Sequence, residues 1–67
     1  MNATEKVQRR ITLLAGELIK NYNFGWLQRN LGMNSQQLRR AMQLHEWTHD
    51  QSTVINRYYE LLIEEAV

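Results

Sequence analysis

The chain has 67 residues, a formal net charge of +1 at pH 7, no cysteine and no proline. This length supports one domain with one small core, and oligomerisation often adds stability at this size. A sequence without cysteine excludes disulfides, thiolate metal sites and cysteine nucleophiles. No stretch approaches the roughly 20 apolar residues of a membrane span, and the first residues lack a secretory pattern, so we expect a cytoplasmic protein without membrane contact.

The residue types favour helix almost throughout, because leucine, glutamine, glutamate and arginine are frequent while glycine is scarce. We predict an all-α fold, a compact four-helix domain with helices over about residues 3–22, 24–32, 35–46 and 49–66. Polar side chains suited to N-caps precede each helix. These capping signals are Asn2 with Glu5, Asn23, Asn34 or Ser35, and Thr48 with Gln51.

Apolar residues repeat at helical spacing on one face of each of the first three helices, which predicts the core. The predicted core residues are Val7, Ile11, Leu14, Ala15, Leu18, Ile19, Tyr22, Trp26, Leu27, Leu31, Leu38, and Ala41 or Met42. His45 stands at the next position of the apolar repeat in the third helix.

The charges are divided unevenly along the chain. Residues 1–45 carry seven lysines and arginines against two glutamates, a net charge of +5, whereas residues 46–67 carry one arginine against five acids, a net charge of −4. Such segregation is expected where one surface meets an anion, although it also arises by chance in small proteins. The first half is therefore the better candidate for contact with a polyanion.

Residues 24–44 contain two short amphipathic patterns that meet at Gly32, a residue with the backbone freedom that a sharp turn needs. The second pattern presents glutamines and arginines on its polar face. Glutamine can pair with adenine and arginine with guanine through two hydrogen bonds, and the amides at a helix start can bind phosphate. The other interpretation is that these side chains form an ordinary solvated or protein-binding face.

This stretch resembles the helix-turn-helix of bacterial and phage regulators over about twenty residues. Gly32 falls on the turn glycine of that family, while Gln28 stands where a small residue is usual and Ala41 where a larger apolar residue is usual. The resemblance implies a sequence-specific DNA-binding transcription regulator of the small phage or plasmid kind, acting as a homodimer without a cofactor. The residues expected to contact DNA are Asn34, Ser35, Gln36, Gln37, Arg39, Arg40 and Gln43, with Lys20 and Arg29 adding phosphate affinity.

The last helix has more apolar residues than one buried face uses. They are Val54, Ile55, Tyr58, Tyr59, Leu61, Leu62, Ile63, Ala66 and Val67. A second buried surface follows, and self-association is the economical explanation in so short a chain. The predicted dimer interface consists of Ile55, Tyr58, Tyr59, Leu62 and Ile63. Alternatively, the other three helices surround this helix and bury the excess.

A second class of function also fits, a small helical inhibitor or adaptor that binds another protein, for example a phage protein acting on a host or immune factor. It would use the apolar excess of the last helix or the basic face. Glu64 and Glu65 lie at a helix C-terminus, where they oppose the helix dipole, and a basic partner would relieve this repulsion.

Residues 45–49, His-Glu-Trp-Thr-His, match the H-E-x-x-H spacing of zinc metalloproteases. That chemistry needs both histidines on one continuous helix. The capping signal at Thr48 instead predicts that a helix begins between them. The sequence also does not predict a Ser/His/Asp set, a phosphate-binding glycine loop or a pair of catalytic carboxylates. We therefore expect no enzyme, no metal and no catalytic residue.

Overall fold

Four α-helices follow one another along the chain in the computed structural model, which describes the backbone of residues 3–66 and the side chains of residues 4–66. They are α1 (Ala3–Asn21), α2 (Phe24–Leu31), α3 (Ser35–Leu44) and α4 (His49–Ala66). The predicted all-α four-helix fold is confirmed. The predicted cap at Asn2 and the apolar Val67 lie outside the described residues.

The helices α2, α3 and α4 begin at capping residues that the sequence indicates. The Asn23 side chain accepts a hydrogen bond of 2.6 Å from an amide in the first turn of α2. Asn34 and Gln37 form a reciprocal capping box at the start of α3, with bonds of 2.8 and 3.0 Å. Thr48 and Gln51 do the same for α4, at 3.1 and 3.0 Å. Each cap supplies partners for amides that the first helical turn leaves without one.

The helix α2 ends at Gly32, which has left-handed backbone angles of φ 65° and ψ 34°. The amides of Gly32 and Met33 both donate to the carbonyl of Gln28, the second at 3.0 Å. A residue without Cβ adopts this conformation at little cost, so the predicted turn glycine is confirmed. Gly32 is the cap rather than the last helical residue, and α2 stops at residue 31.

The helix α3 ends differently, because His45 rather than glycine adopts the left-handed conformation, with φ 55° and ψ 47°. Its amide donates to the Ala41 carbonyl. For a residue with a Cβ this conformation costs about 1–2 kcal/mol. This left-handed conformation ends α3 at residue 44, two residues before the predicted end at 46. It also places His45 outside the apolar repeat. The helix α1 likewise ends at residue 21 instead of 22.

The core draws residues from all four helices and from the connection between α3 and α4. Its buried members are Ile11, Leu14, Ala15, Leu18, Leu27, Leu38, Ala41, Trp47 and Ile55. Ile19, Trp26, Leu31 and Met42 pack against them and are partly buried. Two predicted core residues are instead exposed, since Val7 keeps 55 % and Tyr22 39 % of its accessible surface. Apolar periodicity identifies which face of a helix is buried. It does not show how much of that face the neighbouring helices cover.

The face of α4 that packs on α1 contains a residue that the sequence assigned to the dimer interface. Ile55 is 0 % exposed and belongs to the core, so that assignment is wrong. Tyr58, Tyr59 and Leu62 are partly buried and pack against the same core. Of the predicted interface, Ile63 remains on the surface at 48 % exposure. None of the helices in the described range has the length and hydropathy needed to cross a membrane.

Candidate nucleic-acid interface

Two buried residues fix the orientation of α3. Leu38 is 0 % exposed and Ala41 is also buried, both against the core formed with α1 and α2. Because successive helical residues are rotated by about 100°, the opposite side of α3 faces away from the core. The exposed residues on that helix are all polar or charged except Leu44.

Every residue that the sequence selected for DNA contact is exposed. These are Lys20, Arg29, Asn34, Ser35, Gln36, Gln37, Arg39, Arg40 and Gln43. Six of them lie within α3 and Asn34 caps it, so this helix brings seven side chains together. Lys20 lies in the last turn of α1 and Arg29 in the last turn of α2, on separate elements. The surface of α3 formed by residues 34–37, 39, 40 and 43 is hereafter the α3 outer face.

The side chains of Asn34 and Gln37 are committed to the start of α3. The Asn34 Oδ1 accepts from the Gln37 amide at 2.8 Å, and the Gln37 Oε1 accepts from the Asn34 amide at 3.0 Å. The pair therefore fixes the angle at which the chain enters α3. Gln37 cannot present both its amide oxygen and its amide nitrogen to a base without releasing the cap.

Arg29 is folded back along α2 toward the start of that helix. A Cβ added at Gly25 would lie 3.6 Å from the Arg29 Nη1 atom and 3.4 Å from the capping oxygen of Asn23. The guanidinium thus lies beside the first turn, where the helix dipole is positive. The Arg29 charge and the positive end of the α2 dipole therefore lie together, and this environment suits an anion such as phosphate.

A cluster of polar groups that the sequence analysis missed holds the C-terminal end of α3 against α1. The Trp47 amide donates to the Gln8 Oε1 at 2.7 Å, and the Gln8 Nε2 donates to the Trp47 carbonyl at 3.2 Å. The Trp47 indole donates to the Thr12 hydroxyl at 2.9 Å, and the His45 Nδ1 lies 2.9 Å from the same oxygen. These bonds join residues at least 33 positions apart, so no local sequence signal identifies Gln8 or Thr12.

Another missed cluster fixes α2 against α4. The rings of Tyr22 and Trp26 stack with centroids 4.2 Å apart, and Trp26 meets Tyr58 edge-on at 5.0 Å. The Tyr58 hydroxyl donates to the Asn30 Oδ1 at 2.9 Å. Tyr58 was expected at a dimer interface, but its ring and hydroxyl have partners within the chain. Its partly buried side chain is thus used to position α2.

An open groove of about 690 Å³ runs beside α3, between the start of α1 and the connection to α4. Met33, Ala41 and Trp47 supply apolar surface, while Gln37 and Arg40 contribute from the side of α3. Gln36, Arg39 and Gln43 do not line it. The groove therefore borders the α3 outer face on one side only.

The two histidines of the H-E-x-x-H match lie on different elements. His45 caps the end of α3, and His49 is the first residue of α4. The helix start predicted at Thr48 is confirmed, because the Thr48 capping box lies between them. Within residues 4–66, no group of three or more His, Cys, Asp or Glu side chains could hold a metal ion.

Comparison with known proteins finds no family model, no curated protein and no solved structure that matches this chain. Its function is therefore inferred from the side chains of α2, α3 and α4 themselves.

Proposed function

We propose that this protein is a sequence-specific DNA-binding regulator that acts as a homodimer, with α2 and α3 as its helix-turn-helix. The observation that carries the proposal is the α3 outer face. One helix has a capped start, a buried stripe formed by Leu38 and Ala41, and an exposed surface of glutamine and arginine. A helix of this kind fits the major groove, where such side chains meet base edges.

Exposed basic groups on α1, α2 and α3 would supply the affinity that does not depend on DNA sequence. Arg29 lies beside the positively polarised start of α2, and Arg39 is exposed on one flank of α3. Both sites suit phosphates of the DNA backbone. Lys20, in the last turn of α1, adds a third exposed positive charge.

Two exposed apolar residues near the end of α4 support the proposed self-association. Leu61 is 45 % and Ile63 48 % exposed, although they lie on the helix whose inner face already supplies Ile55 to the core. These two residues lie about 200° apart around α4, so a two-fold interface would bury one side of this helix end and would bring two copies of α3 into one molecule. Such dimers bind half-sites about 34 Å apart, one turn of DNA.

Titration of duplex DNA with the intact protein, followed by fluorescence anisotropy at 50 and 200 mM salt, tests the proposal. We expect binding that weakens steeply as salt rises, because phosphate contacts release counterions. Arg29→Ala should weaken binding to all duplexes alike and shallow the slope of log K against log salt by about one unit. Arg57→Ala, at an exposed arginine of α4, is the matched control and should leave the slope unchanged. A parent protein that binds no duplex at low salt would contradict the proposal.

The second candidate is a small inhibitor or adaptor that binds another protein. The specific observation in its favour is Leu13, which is 72 % exposed on α1 in the first, basic half of the chain. A single exposed leucine is ordinary on a protein surface, so this candidate ranks behind DNA binding. Failure to bind DNA at low salt, together with a stable complex that Leu13→Ser disrupts, would favour this function.

A further inference from the structure

The groove beside α3 is lined by three parts of the chain. The α3 residues Gln37, Arg40 and Ala41 lie three or four positions apart and therefore on the same side of that helix. Gln8 contributes from α1, and Trp47 contributes from the connection between α3 and α4. With a volume of about 690 Å³, the groove falls within the range of about 300–1,000 Å³ that is usual for sites of small molecules.

The apolar part of the groove suits an aromatic ring. Met33 is partly buried against the core, and Ala41 and Trp47 are 5 % and 6 % exposed, so packing fixes the surface that they present. The Trp47 indole is also held by its hydrogen bond of 2.9 Å to the Thr12 hydroxyl. Thioether and indole groups make favourable contacts with an aromatic ring. A ligand with a phenyl group would thus cover a preformed surface.

Three side chains that line the groove keep hydrogen-bond donors available. Gln37 uses its Oε1 to accept from the Asn34 amide, and Gln51 uses its Oε1 to accept from the Thr48 amide, both at 3.0 Å. Each glutamine retains its Nε2 group, which only donates. The Arg40 guanidinium has no hydrogen bond or ion pair within residues 4–66. Donors of these kinds suit a carboxylate.

The groove also contains one acidic side chain, that of Glu46. The Glu46 amide donates to the Ala41 carbonyl at 3.2 Å, so its backbone lies next to that of the residue that follows Arg40. Glu46 and Arg40 are both exposed, and no ion pair joins them in the part of the chain that the structure describes. The groove therefore presents two charges of opposite sign that do not neutralise each other.

From this arrangement we infer that the groove binds a free amino acid with an aromatic side chain. Arg40 and the two glutamine Nε2 groups donate to its carboxylate, and Glu46 accepts from its ammonium group. Its ring contacts Met33 and Trp47. A ligand with only a negative charge would be repelled by Glu46, and one with only a positive charge by Arg40, whereas a zwitterion is attracted by both. This inference does not depend on the proposed DNA binding.

Four compounds that differ in one feature test the inference. They are L-phenylalanine, 3-phenylpropionate without the ammonium group, 2-phenylethylamine without the carboxylate, and glycine without the ring. Each is titrated into the intact isotope-labelled protein, and the NMR shifts of the Gly32 amide and the Trp47 indole give its dissociation constant. We expect L-phenylalanine to bind about 2- to 5-fold more tightly than either singly charged compound, the usual contribution of an exposed ion pair. It should bind about 10-fold more tightly than glycine, because glycine buries no ring.

Two variants separate the two charges. Arg40→Gln should remove the preference for L-phenylalanine over 2-phenylethylamine only, and Glu46→Gln the preference over 3-phenylpropionate only. Arg39→Gln is the matched control, since Arg39 is an exposed arginine of α3 that does not line the groove, and it should leave all four dissociation constants unchanged. Circular dichroism verifies that each variant is folded.

Three results would overturn the inference. The first is the absence of a saturable shift with L-phenylalanine up to its solubility limit. The second is a parent protein that binds 3-phenylpropionate or 2-phenylethylamine as tightly as L-phenylalanine. The third is an Arg40→Gln or Glu46→Gln variant that keeps every preference of the parent.

Discussion

The helices α3 and α4 begin alike and differ in what their outer surfaces carry. Each starts with a reciprocal capping box, Asn34 with Gln37 and Thr48 with Gln51. Each also has a residue that is 0 % exposed, Leu38 in α3 and Ile55 in α4. Beyond these shared features, α3 exposes amides and guanidinium groups, while α4 exposes Leu61 and Ile63 near three glutamates.

This difference teaches that similar inner faces support dissimilar surfaces in one small domain. Inner residues are selected for size and apolarity, which several helices can supply in the same way. Outer residues are not constrained by packing in the core, so their chemistry can be adapted to solvent or to a binding partner. The polar α3 outer face suits the hydrogen-bonding edges of bases, and the apolar end of α4 suits another apolar surface.

The largest expected effect tests whether the two inner faces are equivalent. Leu38→Ala and Ile55→Ala should each lower the free energy of unfolding by about 2–5 kcal/mol, because each leaves a cavity at a fully buried site. Chemical denaturation followed by circular dichroism measures both. Leu13→Ala, at an exposed leucine, should change the same quantity by less than about 0.5 kcal/mol. If Ile55→Ala had normal stability but no longer dimerised, Ile55 would belong to the dimer interface and not to the core.

A smaller effect tests Leu61 and Ile63, the exposed apolar residues near the end of α4. The double variant Leu61→Glu with Ile63→Glu should raise the dissociation constant of the dimer roughly 10- to 100-fold, because charged groups replace the apolar surface that is buried on pairing. Light scattering over a concentration series measures the dimer fraction. Since both residues are about half exposed, the monomer should retain its helical circular dichroism spectrum.

The control for that experiment changes the outer face of the other helix. Gln36→Glu with Gln43→Glu introduces the same two charges on α3 and should leave the dissociation constant of the dimer unchanged. A parent that remains monomeric at high micromolar concentration would contradict self-association through α4.

The smallest effect compares the two capping boxes. Asn34→Ala and Thr48→Ala should each lower the free energy of unfolding by about 0.5–2 kcal/mol, because each leaves a first-turn amide without its side-chain acceptor. Under the proposed function, only Asn34→Ala should also weaken DNA binding, since its cap sets the start of α3. Equal effects of both variants on DNA affinity would show that global stability, rather than the α3 outer face, controls binding.

Features that depend on neighbours in sequence were predictable from the sequence alone. The caps at Asn23, Asn34 and Thr48 lie within three residues of the amides that they bind. The left-handed turn at Gly32 depends on the missing Cβ of one residue. The inward direction of Leu38 and the exposure of the α3 outer face follow from helical periodicity. Local sterics and hydrogen bonding therefore determined the four helices and the composition of the candidate site.

Features that depend on contact between distant residues were decided by the tertiary structure. Trp47 is 6 % exposed because Gln8 and Thr12, on α1, bind its backbone and indole across at least 35 residues. Ile55 is in the core and Leu61 on the surface, although both belong to the apolar excess of α4. A helical pattern states which residues can be buried, but only a packed neighbour removes a given side chain from water.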